Sequence, residues 1–173
     1  MQRLFSHYCK VMLHSERQMM AIERMFEAFE PNGIPFMPLK GCNMKKLYTK
    51  PELRSMGDVD ILIHPEDHDR IFPLMEELGF RYNKEDDHVF DWRSPNLHVE
   101  LHKSLVPITD EDYFSYYGTG WQLGIRGEGS RHDLSIEDAY IFMFTHFARH
   151  SVMPELDVVT QWICMSTVAH ILI

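Results

Sequence analysis

The chain has 173 residues, 45% hydrophobic and 25% charged, enough for one compact core and too short for two ordinary domains. Nine glycines and nine prolines exclude collagen-like and low-complexity architectures. Seventeen basic against 26 acidic residues give a net charge of −9, which excludes extended nucleic-acid binding but leaves room for a local basic pocket holding one nucleotide.

Apolar residues from Leu4, Phe5 and Tyr8 through Ile22, Met25 and Phe29 recur at helical spacing and predict a helix from Gln2 to about Glu30, stopped by Pro31-Asn32-Gly33. Its methionine stripe reads as core packing, because Met fills irregular gaps without adding chemistry. Ile34 to Leu39 reads as a first strand, Cys42 to Tyr48 as a short helix, and Thr49 to Gly57 as a loop carrying Arg54. Asp58 to Ile63 is the strongest strand pattern in the chain. Pro65 opens a helix with Glu66 and Asp67 in its first turn, where acids complement the dipole, and Gly79 ends it. His88 to Arg93 and Leu97 to Leu105 read as a hairpin around Ser94-Pro95-Asn96. Tyr113 to Gly129 receives no assignment. Ser135 and Asp138 form a capping-box variant that opens a helix through about His150, and a last helix is expected from Glu155. The order predicts an α+β fold, a small mixed sheet flanked by N- and C-terminal helices. It forms one domain over 1–173, with its α/β core at 31–134 and helical flanks at 1–30 and 135–173.

Cys9, Cys42 and Cys164 are odd in number and lack a C-x-x-C pair, which argues against a disulfide framework or thiolate zinc site and for a reducing cytoplasm. His7, Lys10, His14 and Glu16 interrupt any signal-peptide core, and no run reaches the roughly 18 apolar residues of a membrane span, so no membrane partner is expected.

Asp58 and Asp60 stand at i and i+2 of a strand and therefore project from one face, while Val59, Ile61 and Ile63 point into the core. Two adjacent anions repel and raise each other's pKa unless a cation sits between them. A hard ion such as Mg²⁺, which prefers carboxylate oxygens, is the natural neutraliser. The second alternating segment carries Glu100 on its polar face between His98 and His102. If the two strands are neighbours, three convergent carboxylates make a two-metal site with ions roughly 3.5–4 Å apart. Upstream, Lys40-Gly41 combines a cation with a residue whose missing Cβ lets phosphate approach the backbone. Arg54 would add a bidentate fork for phosphate.

Leu39-Lys40-Gly41, Leu47-Tyr48, Arg54-Ser-Met-Gly-Asp58-Val-Asp60-Ile-Leu-Ile and His98-Val-Glu100-Leu-His102, taken in order, resemble the uncharacterised bacterial nucleotidyltransferase-like family of the DNA polymerase beta-like nucleotidyltransferase superfamily. The resemblance spans Ile34 to His150. It implies that Asp58, Asp60 and Glu100 are the catalytic and metal-binding triad for two Mg²⁺ ions, or Mn²⁺, and it agrees with Lys40, Gly41 and Arg54 as nucleotide-binding residues. In-line attack of a hydroxyl on the α-phosphorus of a nucleoside triphosphate such as ATP would transfer a nucleoside monophosphate and release pyrophosphate. Glu100 could also serve as general base. One departure stands out: the superfamily usually carries Gly-Ser where this chain has Gly41-Cys42.

His146 and His150 share a helix face, and the resemblance places them toward the acceptor. His98 and His102 could orient Glu100 as outer partners. A weaker reading makes all four the ligands of a metallohydrolase. The main alternative to transfer is a catalytically inactive module that keeps the fold and binds a nucleotide or a partner. At the C-terminus, Gln161 to Ser166 departs from the acidic, aromatic helix that the resemblance implies, and a frameshift or truncation there is expected to have removed an acceptor-binding segment.

Overall fold

The Asp58–Ile63 alternation becomes the second strand of a five-stranded sheet in the computed structural model, which describes residues 2–45, 48–54 and 56–150, apart from the side chains of Gln2, Cys42 and His150. The long helix α1 (Gln2–Phe29) leads through a turn at Gly33 into β1 (Phe36–Pro38), and the single turn α2 (Cys42–Lys45) follows. A 3₁₀ turn at Pro51–Leu53 precedes β2 (Asp58–Ile63). A second 3₁₀ turn at Pro65–Asp67 feeds α3 (His68–Glu77). Three strands come next: β3 (Arg81–Glu85), β4 (Val89–Arg93) and β5 (His98–His102). The chain continues through α4 (Glu111–Tyr117), a 3₁₀ turn at Trp121–Leu123, the ribbon β6 (Gly124–Arg126) and β7 (His132–Leu134), and α5 (Ile136–His150).

The main sheet has the order β1-β2-β5-β4-β3. Only β2 and β5 run parallel; the other neighbours are antiparallel, so the expected small mixed sheet is present. One face carries Val59, Ile61, Ile63, Phe90, Trp92, Val99 and Leu101, which pack with Ile22, Met25 and Phe29 of α1 and Ile71 and Met75 of α3 into the larger core. On the other face a second core joins Leu62 to Met37, Leu105, Tyr117 and Phe142 beneath α4 and α5. Along β2 that face therefore passes from exposed Asp58 through buried Asp60 to fully buried Leu62.

Several boundaries differ from the sequence reading. Of the helix expected over 42–48, the structure describes Cys42–Lys45, and Tyr48 lies in a bend. The helix expected from Pro65 begins as a 3₁₀ turn and becomes α-helical at His68. β5 stops at His102 rather than Leu105, because the Ser104 hydroxyl donates to the Val106 carbonyl and the Leu105 N–H turns toward Thr119. The hairpin gains a third strand, β3, which the sequence reading missed: it is a largely exposed polar edge whose one core contact is Tyr82, so it shows no alternation to read. The unassigned Tyr113–Gly129 stretch supplies most of α4, a 3₁₀ turn and β6. The helix expected from Glu155 and the altered Gln161–Ser166 segment lie outside the described residues. No helix among the described residues is long and apolar enough to cross a membrane.

Candidate active site

The parallel register fixes the site. Asp58 lies opposite His98, Asp60 opposite Glu100, and Leu62 opposite His102, so the acidic pair of β2 and the alternating triad of β5 share one face. The antiparallel β4 then sets Asp91 against Glu100 from the other side. This face presents acids and histidines in alternation. His98 Nε2 lies 2.8 Å from Asp91 Oδ1 and 3.8 Å from Glu100 Oε1. His102 Nε2 lies 3.6 Å from Glu100 Oε2 and 3.0 Å from Asp60 Oδ1.

Lys40 completes the row. The Leu39 N–H donates to the Asp60 carbonyl, which holds the end of β1 beside the middle of β2 and carries the next side chain over the carboxylates. Lys40 Nζ lies 3.2 Å from Asp60 Oδ1 and 3.4 Å from either ring nitrogen of His146, which α5 brings down from above. Gly41 follows with φ +56; a Cβ there would come within 3.0 Å of the Asp58 carbonyl oxygen and 3.3 Å of the Met56 sulfur. Arg54 Nη1 reaches the Gly41 carbonyl at 3.5 Å, and its guanidinium lies 5.8 Å from the Tyr48 ring centroid.

The electrostatics divide the two aspartates. Burial works against the Asp60 anion, yet Lys40 and the His102 hydrogen bond hold its carboxyl far below the usual carboxylate range. Asp58 is pushed the other way, first by loss of hydration around its carboxylate and then by the Asp60 charge, with Lys40 relieving only part. For His102, burial opposes protonation, but hydrogen bonds to Asp60 and Glu100 carry it above the ordinary imidazole value. Asp60 is thus held as a compensated anion, whereas the Asp58 anion is disfavoured and only partly relieved by Lys40 and His98.

Among the described residues, two groups of side chains could hold an ion: Asp58, His98 and Glu100, and Asp60, Glu100 and His102, with ligand atoms within 4.8 Å of one another in each. Glu100 belongs to both. The donors are mainly hard carboxylate oxygens, and the disfavoured Asp58 anion calls for a cation, so the residues fit a magnesium or manganese ion. Each group has one histidine and two carboxylates, which does not match the expected four-histidine metallohydrolase site. His98 and His102, expected as partners of Glu100, approach it at 3.8 and 3.6 Å and make shorter contacts to Asp91 and Asp60. The pairing of His146 with His150 rests on a side chain outside those described.

Three participants escaped the sequence reading. Asp91 and Arg93 sit in β4 on the site's face, and Asn83 Nδ2 donates to Asp91 Oδ2 at 2.7 Å. The signal was available: 89, 91 and 93 alternate against the buried Phe90 and Trp92. The third, His88, lies in the β3–β4 turn with Nε2 3.1 Å from His102 Nδ1, and no local pattern marks it.

A family model described as an uncharacterised nucleotidyltransferase matches residues 1–164. No curated protein matches the sequence. The solution structure of the antibiotic-resistance factor ANT(2″)-Ia shares the fold at 15% identity, with a TM-score of 0.62 over 88% of this chain and 83% of that one. The crystal structure of ANT(2″)-Ia in complex with adenylyl-2″-tobramycin gives 14% identity and a TM-score of 0.59, over 87% of each chain. An antigenic nucleotidyltransferase-like protein from Paracoccidioides brasiliensis is 15% identical, with a TM-score of 0.51 over 86% of this chain and 74% of that one.

Proposed function

The chain belongs to the uncharacterised nucleotidyltransferase family, a family of transferases, and from that premise we propose that it moves a nucleoside monophosphate from a nucleoside triphosphate to a hydroxyl group of a small molecule or protein, releasing pyrophosphate. The observation that carries this reading is the convergence of Asp58, Asp60 and Glu100 on one sheet face beside Lys40. ATP is the donor to try first, since ANT(2″)-Ia, which shares the fold, is known in complex with adenylyl-2″-tobramycin. The cysteine pattern favours action in a reducing cytoplasm, and the family resemblance favours a bacterial source.

Asp58, Asp60 and Glu100 would hold magnesium, or manganese in its place. When bound, the metal supplies Lewis acidity that polarises the α-phosphate and acidifies the acceptor hydroxyl. Lys40 and Arg54 offer positive charge to the phosphates, and Gly41 removes the side chain that would keep them from the backbone. The acceptor oxygen forms its bond to the α-phosphorus as the bond to pyrophosphate breaks on the opposite side. Glu100, half-buried on this face, could also take the hydroxyl proton, a secondary role because a metal-bound carboxylate accepts protons poorly. His146, which touches Lys40 from α5, stands on the side we assign to the acceptor.

One observation favours a second reading. Lys40 and His102 already neutralise Asp60, which would suit a module that binds a nucleotide or a partner without turnover. Pyrophosphate release from ATP, GTP, CTP and UTP, with and without Mg²⁺ and in the presence of sugar and Ser/Thr/Tyr-peptide hydroxyl acceptors, separates the two. Metal-dependent release that disappears in Asp60→Asn supports the transferase, and saturable nucleotide binding with no release supports the module.

A further inference from the structure

His102 is held on both sides of its ring, and the second contact is made by the nitrogen that does not face the carboxylates. Its Nδ1 lies 3.1 Å from His88 Nε2, with the two rings edge to face at 4.8 Å and 85°. His88 Nδ1 lies 3.3 Å from Ser104 Oγ, and Ser104 gives its only proton to the Val106 carbonyl at 2.7 Å. That leaves Ser104 Oγ as an acceptor toward His88, so His88 Nδ1 carries a hydrogen. The Nε2 of a neutral His88 then accepts from His102 Nδ1–H. The other nitrogen of His102 faces only acceptors, Asp60 Oδ1 and Glu100 Oε2, and must also donate. His102 therefore donates from both nitrogens, from Nδ1 through His88 and Ser104 toward the Val106 carbonyl and from Nε2 to the two carboxylates, and turning over either ring breaks the chain.

The anchor is firm at each point. His102 is 6% exposed and Ser104 7% exposed, so water cannot readily replace a lost bond. The backbone of His88 is pinned as well: its N–H donates to Asp86 Oδ1 at 2.9 Å, and its carbonyl accepts from the Lys103 N–H at 2.9 Å. Strand register sets where Asp60 and Glu100 leave the backbone, but side-chain torsions still decide how far apart their oxygens stand.

We propose that His88 is a positioning residue for this site: through His102 it fixes the spacing of the Asp60 and Glu100 carboxylates. The proposal rests on the transferase reading above. Outer partners that orient ligands typically matter by about 10–100-fold in metal affinity or activity.

His88→Ala, His88→Asn and His88→Gln test it, because Gln can place an acceptor where Nε2 stood and Asn reaches only the Ser104 side. In pyrophosphate release, Ala and Asn are expected to lower kcat about tenfold or more, with the nucleotide KM within about twofold, and Gln to recover to within about threefold of the parent. Mn²⁺ binding to the protein without nucleotide, followed by electron paramagnetic resonance, should weaken about tenfold in Ala and Asn and recover in Gln. Parental kcat and Mn²⁺ affinity in Ala and Asn would overturn the proposal, as would a Gln variant that falls as far as Ala. If Ala does not fold, the contrast between Asn and Gln decides. If the parent protein releases no pyrophosphate from any nucleotide with any of the hydroxyl acceptors, the transferase reading falls, and the Mn²⁺ series still tests His88.

Discussion

Glu100 sits directly across the parallel β2–β5 ladder from Asp60, so one backbone register delivers both carboxylates to the same face. A slip of one residue would turn Glu100 toward the core now filled by Val99 and Leu101, and no metal-binding group could form. The hydrophobic face that drives folding thus also sets the chemistry of the opposite face.

Asp60 holds the centre of that face, with Lys40 at 3.2 Å and His102 at 3.0 Å. Asp60→Asn keeps the shape and removes the charge both cations answer. Mg²⁺-dependent pyrophosphate release should fall by at least about 100-fold, because a preorganised charge at the reacting group is lost. The melting temperature should fall too, since two buried or half-buried cations lose their partner.

Asp58 should behave in the opposite sense. Its carboxyl is held above its ordinary range, first by lost hydration and then by Asp60, which means its charge works against the metal-free fold. Asp58→Asn should therefore raise the melting temperature in chelator while abolishing activity, a trade of stability for function. Saturating Mg²⁺ should stabilise the parent by about 2.7 kcal/mol at 100 times its Kd and leave Asp58→Asn nearly unmoved. Thermal scans with EDTA and with Mg²⁺ check both halves.

Lys40 has two duties that separate kinetically. It neutralises Asp60 in the free protein and, in our reading, meets phosphate in the complex. Lys40→Ala should raise the nucleotide KM about tenfold or more, the loss of a charge-assisted contact. Lys40→Arg should recover only part of that, because the planar fork does not reproduce a point charge. A parental KM in Lys40→Ala would remove Lys40 from the nucleotide site.

The backbone around these residues was largely legible beforehand. The alternation of Asp58–Ile63 and of His98–His102 marks two strands with acids on one face, because a strand half-covered by a core must alternate. The adjacency of those strands was a conditional inference, since register is a long-range property that neither segment encodes alone. Asp91 was overlooked because Val89-Phe-Asp-Trp-Arg93 reads as apolar, although its polar positions face Glu100. His88 was invisible for a stronger reason: it follows Glu85-Asp86-Asp87, which reads as a solvated turn, and its partners His102 and Ser104 lie 14 and 16 residues away.

Gly41 tests how tightly the Lys40 turn is built. At φ +56 an L side chain is strained, and its Cβ would press on the Asp58 carbonyl at 3.0 Å. Gly41→Ala should cost about 1–2 kcal/mol from backbone conformation alone, more if the Asp58 backbone must shift. Chemical denaturation measures the loss. A neutral result would show that the turn relaxes without disturbing β2.

The two buried-side histidines give the protein an acid-side signature whose sign can be worked out. Burial, followed by the charges of His102 and Arg149, pushes His88 down to about 3. Below the imidazole value of about 6.5 in an unfolded chain, the unfolded state takes up a proton that folded His88 refuses. Its contribution is therefore intact at neutral pH and declines as pH falls from about 6.5 toward 3. His102 has the reverse linkage: its pKa is raised, so its contribution is present below the unfolded value and fades as pH climbs through the folded one. The two partly offset each other in acid, and His88→Gln removes only the first. In metal-free buffer the variant's melting temperature should gain on the parent's steadily from pH 7 to pH 4. A gap that stays constant across that range would mean that His88 takes up its proton inside the fold, and the assignment of its Nε2 as acceptor from His102 would then be wrong.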